Sequence, residues 1–97
     1  MWKRPLFVVQ LRVNTGEAQP RIGFTVTKKQ GGAVVRNRIK RRLREAVRLS
    51  LPELLHPDCD YVFIGRTATA DVEFTTLQRE LVEAITRLHA KAKVGAA

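Results

Sequence analysis

Cysteine is almost missing from this chain: Cys59 is the single one among 97 residues. One thiol excludes an internal disulfide and a cysteine-cluster zinc site, and it makes a reducing cytoplasm the expected compartment. Histidine is equally scarce. His56 and His89 are too few for a His-rich metal site or a Cys/His catalytic pair. No apolar run approaches the length needed to cross a bilayer, so no membrane partner is expected. The opening residues Met1-Trp2-Lys3-Arg4-Pro5 lead into too short an apolar patch for a secretory signal. Asp58, Asp60, Asp71 and Glu73 are too scattered to read as a catalytic carboxylate pair. Cys59 is read as lying in a polar loop between two of these acids, where negative charge disfavours a thiolate, so it is an ordinary residue rather than a nucleophile.

What the chain does have is positive charge in one place. The whole sequence carries 18 Lys+Arg against 9 Asp+Glu, a formal net charge of +9. Residues 28–48 hold nine Lys/Arg and one acid, net +8. Residues 1–27 are net +3 and residues 49–97 are net −2, so one stretch accounts for nearly all of the excess. A solvated face kept for solubility usually mixes in acids, and here only Glu45 interrupts. Clustering of this kind is the footprint of a polyanion binder.

With 44% hydrophobic residues the chain can bury a small core, and residues 1–97 are read as one domain. Residues 6–13 are β-branched and apolar, with Gln10 and Arg12 facing away from Val9, Leu11 and Val13, as in a strand. Residues 21–27 alternate Ile22, Phe24 and Val26 on one side and predict a second strand, antiparallel to the first through a hairpin loop. After Gly31-Gly32 the period changes. Val35, Ile39, Leu43, Ala46 and Val47 predict a helix over 33–51 that stops before Pro52, with Gly32 as a weak N-cap. Residues 61–65 form a near-continuous apolar run, as expected of a central strand. Leu77, Leu81, Ala84, Ile85 and Leu88 give a second helix over 75–91, begun by a capping box from Thr75 to Gln78. The order β-β-α-β-α is that of an α+β domain with helices packed on a mixed sheet, and the step from 21–27 to 61–65 fits a parallel crossover.

On the first helix Arg36, Lys40, Arg44 and Arg48 recur at i, i+4, with Asn37 and Arg41 on the next row. Like charges so placed repel by a few tenths of a kcal/mol per pair unless phosphates neutralise them. Arginine forks fit phosphate oxygens, and asparagine can reach a sugar or base edge. Lys28 and Lys29 extend the same surface.

The run Thr27-Lys28-Lys29-x-Gly31-Gly32-Ala33-Val34-x-Arg36-Asn37-Arg38-x-Lys40-Arg41-x-x-Arg44-Glu45 resembles the signature of the protein subunit of bacterial ribonuclease P. That family shows a Ser/Thr-Lys-Lys pair, a Gly-Asn-Ala-Val step, and then Arg-Asn-Arg with Lys-Arg following. The resemblance spans roughly residues 6–90 and is strongest over 23–45. It implies an α+β fold with a left-handed β-α-β crossover, against the usual hand. It implies that the chain assists a catalytic RNA in the Mg²⁺-dependent endonucleolytic removal of the 5′ leader from precursor tRNA. The Mg²⁺ would be bound mainly by the RNA. By position, Lys28, Lys29, Arg36, Asn37, Arg38, Lys40, Arg41, Arg44 and, on the same stripe, Arg48 become the RNA-binding candidates.

A cleft between helix and sheet receives the leader in the family. Phe7, Val9, Phe24 and Tyr61 are the candidates here, with Leu11 beside them on the first strand, although strand spacing favours the core for Phe24 and Phe63. Trp2 is either a stacking residue or part of a loose chain end, and His56 and His89 are read as surface groups. Family members begin with a further helix whose Phe residues line that cleft. This sequence starts almost at the first strand, so the resemblance implies a shortened sequence or a late start codon. Gly32 also stands where the family has Asn. The rival readings are a ribosomal-type structural RNA binder with no role in cleavage, a DNA-binding module, and a self-sufficient nuclease. No helix-turn-helix pair precedes the basic helix, which weighs against the second. No His/acid cluster supports the third.

Overall fold

The computed structural model describes residues 2–3, 6–13, 16 and 19–92. The elements are β1 (Trp2–Lys3), β2 (Phe7–Val13), β3 (Arg21–Thr25), α1 (Ala33–Ser50), β4 (Cys59–Gly65) and α2 (Phe74–Ala92). Two short 3₁₀ turns, Lys28–Gln30 and Thr67–Ala70, precede the helices. Trp2 lies outside any loose end, because its backbone pairs with Val9 in the sheet.

β4 explains the sheet. One face carries Cys59, Tyr61, Phe63 and Gly65, all buried, and the other carries the half-buried Val62 and Ile64. A strand apolar on both faces is stable only inside a sheet, with a neighbour on each edge. The observed order is therefore β1-β2-β4-β3. β4 runs antiparallel to β2 and parallel to β3. This corrects the expected hairpin: β2 and β3 follow one another in sequence but are separated by β4. The β3–α1–β4 step is the expected parallel crossover.

Both helices cover the same face of the sheet. From α1 the side chains of Ile39, Leu43, Ala46 and Val47 are buried, and from α2 those of Leu77, Leu81, Ala84, Ile85 and Leu88. They meet Phe7, Val9, Tyr61 and Phe63 from the sheet in one core. Val35, expected on the apolar face of α1, is 37% exposed and lies back over Gly31 in the first turn. α1 approaches β4 so closely that a Cβ at Gly65 would sit 2.2 Å from Ile39 Cγ2.

The start of α1 is as expected, and the start of α2 is not. Gly32 caps α1 with extended backbone and no side-chain bond, after Gly31 at φ 136°. α2 already begins at Phe74, and Leu77 N–H bonds Glu73 O at 3.0 Å. Thr75 thus lies inside the first turn and is not the N-cap.

Three further residues are placed differently from the sequence reading. Cys59 is the first residue of β4, not a loop residue, and is 1% exposed. Burial, then the charges of Asp58 and Asp60, push its thiol pKa up. His56 and His89 are half-buried rather than surface groups. Tyr61 Oη accepts the His56 backbone N–H at 2.8 Å and lies 2.7 Å from His89 Nε2.

Candidate nucleic-acid interface

α1 sorts these candidate side chains by face. Asn37, Arg38, Arg41 and Arg44 are exposed, while Arg36 and Lys40 are half-buried at the margin of the core. Arg36 Nε is buried and has no acceptor among the described residues. A buried donor normally has a partner, so this N–H is left for an acceptor outside the described residues. Arg44 lies over the ring of Phe24, 5.7 Å from its centroid, and Phe24 stacks on Phe63 at 5.5 Å. Arg48 is exposed, but its guanidinium grips the Glu45 carboxylate, which hydrogen bonding holds below the usual carboxylate pKa range. Its charge is therefore partly spoken for, unlike that of its neighbours on the stripe.

The Lys28–Gln30 turn continues this surface. Lys28 and Lys29 are exposed, and Gln30 Oε1 accepts from Thr67 N–H at 2.7 Å and from Thr67 Oγ1 at 2.9 Å. That tie brings the exposed Arg66, which the sequence reading left out, to the same end of the molecule. Its signal in the sequence was weak: one arginine after a strand, with no cluster around it.

A family model for Ribonuclease P matches residues 1–89. The chain belongs to the ribonuclease P protein family. A ribonuclease P protein component from Brucella suis is 43% identical over 90 residues, covering 84% of this chain and 64% of that one. Another, from Ruegeria pomeroyi, is 53% identical over 79 residues, covering 79% of this chain and 63% of that one. The chain thus spans just under two thirds of the length of these relatives. Among solved structures, the RNase P protein of Thermotoga maritima superposes with a TM-score of 0.74 at 31% identity, over 89% of this chain and 80% of that one. The Staphylococcus aureus RNase P protein gives 0.71 at 29% identity, over 90% and 78%.

Within this ribonuclease P protein fold, the expected cleft residues need correction. Phe7, Val9 and Tyr61 are 0% exposed and lie on the helix-covered face. They are core and cannot line an open cleft. Leu11, on the same face, is half-buried, as is Phe24, at the margin beneath Arg44. The cause is the period of a strand: alternation separates two faces but does not say which one the helices cover. The uncovered face presents Gln10, Arg12, Asp60 and Val62, which with Leu11 line a groove of about 510 Å³. Asp60 there accepts both Arg21 Nε and Arg21 Nη2 at 3.1 Å across β3 and β4.

No helix among the described residues is long and apolar enough to cross a membrane. The described residues also contain no group of three or more His, Cys, Asp or Glu arranged to hold a metal ion.

Proposed function

We propose that the chain is the RNA-binding protein component of a ribonuclease P ribonucleoprotein of the cytoplasm. It binds a catalytic RNA and the 5′ leader of precursor tRNA, and assists endonucleolytic maturation of tRNA 5′ ends. The observation that carries the reading is the exposed cationic surface of α1 on this family's fold: Asn37, Arg38, Arg41 and Arg44 outward, Arg36 and Lys40 at its margin. Lys28, Lys29 and Arg66 extend it beyond the helix start. Arginine forks and lysine point charges neutralise phosphates, and a convergent set of them makes affinity steeply salt-dependent. The single-stranded leader is assigned to the uncovered sheet face, where Arg12 offers a cation and Gln10 an amide within the groove.

In this proposal the protein supplies binding and electrostatics, not a nucleophile or a base. Mg²⁺ enters as ions held by the RNA, where it would polarise the scissile phosphate and activate water. Asp60, the acid of the groove, is engaged by Arg21.

The test is cleavage of a precursor tRNA by a bacterial ribonuclease P RNA at low Mg²⁺, with and without the protein. The wild-type chain is expected to restore cleavage, an Arg36→Ala/Arg41→Ala variant to fail, and protein alone never to cut. RNA binding without restored cleavage would replace this reading with that of a structural RNA binder. Cutting by the protein alone would place the chemistry in the chain.

A further inference from the structure

Arg42 sits in the middle of the basic run, yet its guanidinium points into the protein. It is half-buried, with Nη1 donating to Thr69 O and Nη2 to Val72 O. Both carbonyls belong to the segment between β4 and α2. Thr69 itself is 0% exposed, and its hydroxyl accepts Arg66 N–H at 3.1 Å and donates to Leu6 O. On its outer side the same segment is held by Gln30, which bonds Thr67. The Thr67–Ala70 turn is thus fixed at three points: to α1 by Arg42, to the start of β2 by Leu6, and to the Lys28–Gln30 turn by Gln30. What it carries outward is Arg66.

We propose that Arg42 is a positioning residue of the RNA-binding surface: it holds the Arg66-bearing turn against α1, so that Arg66 meets the same RNA as Lys28, Lys29 and the α1 cations. The proposal rests on the RNA-binding reading above. Two features of the guanidinium suit it to this work. Its planar fork reaches two carbonyls at once, which a lysine ammonium does not reproduce. Its two terminal nitrogens also face backbone oxygens rather than solvent, so the charge is not presented as its neighbours Arg38 and Arg41 present theirs. A phosphate ligand and a positioning residue make opposite claims about coupling. Independent ligands contribute additively, whereas a residue that acts through Arg66 loses its effect when Arg66 is removed.

The experiment is equilibrium binding of a bacterial ribonuclease P RNA to the full chain, well below the melting midpoint of every variant. The set is wild type, Arg42→Met, Arg42→Lys, Arg66→Ala, Arg38→Ala, and the doubles that combine each Arg42 variant with each alanine variant. Arg66→Ala is expected to weaken binding several-fold in the wild-type background. It should cost less than ~2-fold in either Arg42 background, because the contribution is already lost there. Arg38→Ala should cost the same in all three backgrounds.

Additive losses, or wild-type affinity in Arg42→Lys, would make Arg42 a direct cationic ligand and overturn the proposal. Equal erosion of the Arg38 and Arg66 contributions would reduce Arg42 to a general structural role and overturn it as well. A wild-type chain that binds no RNA would remove the underlying reading, an outcome distinct from the other two. If Arg42→Met does not fold, Arg42→Lys carries the cycle. Gln30→Ala, which cuts the outer tie of the same turn, should likewise shrink the Arg66 contribution, and an undiminished Arg66 effect there would count against the proposal.

Discussion

The Tyr61 hydroxyl accepts the His56 backbone N–H at 2.8 Å and lies 2.7 Å from His89 Nε2, so it joins both histidines to β4. Burial, chiefly, and the nearby His56 hold the His89 pKa below its ordinary value. Tyr61 is pushed up to about 12, first by burial, so it remains a donor throughout the neutral range. Below the unfolded-state pKa of about 6.5 the unfolded chain binds more protons than the folded one, so stability falls as pH drops through that window. Above it the contribution is fully present. Urea melts at about pH 7.5 and about pH 5.5 should show a lower midpoint at the acid end, and His89→Gln should flatten the difference. An equal pH response in the variant would mean that other groups set it. His89 was not legible as a partner in the sequence, because its bond to Tyr61 joins residues 28 apart.

At the scale of elements, adjacent glycines carry opposite expectations. Gly32 has φ −74° and an added Cβ there meets nothing within 4 Å, so Asn fits. Gly32→Asn supplies a capping side chain and a less flexible unfolded chain, together worth about 0.5–1 kcal/mol, or about 2–6 °C in Tm. Gly31 has φ 136°, and its Cβ would press on Val35 at 3.2 Å, so Gly31→Ala should lower stability by about 1–3 kcal/mol. Thermal melts of the two variants check both signs. Gly65→Ala should be worse than ordinary overpacking, about 3 kcal/mol or more, since Ile39 and Leu43 of α1 occupy the space.

The sequence shows why some of this could be read and some could not. Local periodicity located β2, α1, β4 and α2, because each is decided by residues within a few positions. The sheet order was not local: β4 separates β2 from β3 because it is apolar on both faces. The same limit applies to the interface. The cationic run was visible as a run, but Arg42 differs from Arg41 only through carbonyls 27 and 30 residues away.

For the whole molecule, a net charge of +9 gathered largely on one surface gives salt two opposing effects. Cations three and four residues apart on α1, Arg38, Arg41 and Arg44 among them, repel one another in the free protein. Raising ionic strength from about 0.01 M to about 0.1 M shortens the Debye length from about 30 Å to about 10 Å and should raise the melting temperature. RNA binding should move the other way. If about six phosphates are neutralised, affinity should fall roughly a thousandfold between 50 mM and 200 mM salt. The Arg38→Ala/Arg41→Ala variant tests whether one set of charges governs both effects. It should gain less stability from salt, and the slope of log affinity against log salt should become shallower by about 1.4–1.8. A variant that lost the salt-dependent gain in stability while keeping the wild-type binding slope would place the phosphate contacts elsewhere on the protein. Screening and counterion release draw on the same cations only if the stretch that strains the free helix is the one the RNA relieves. The two measurements together therefore locate the interface without a structure of the complex.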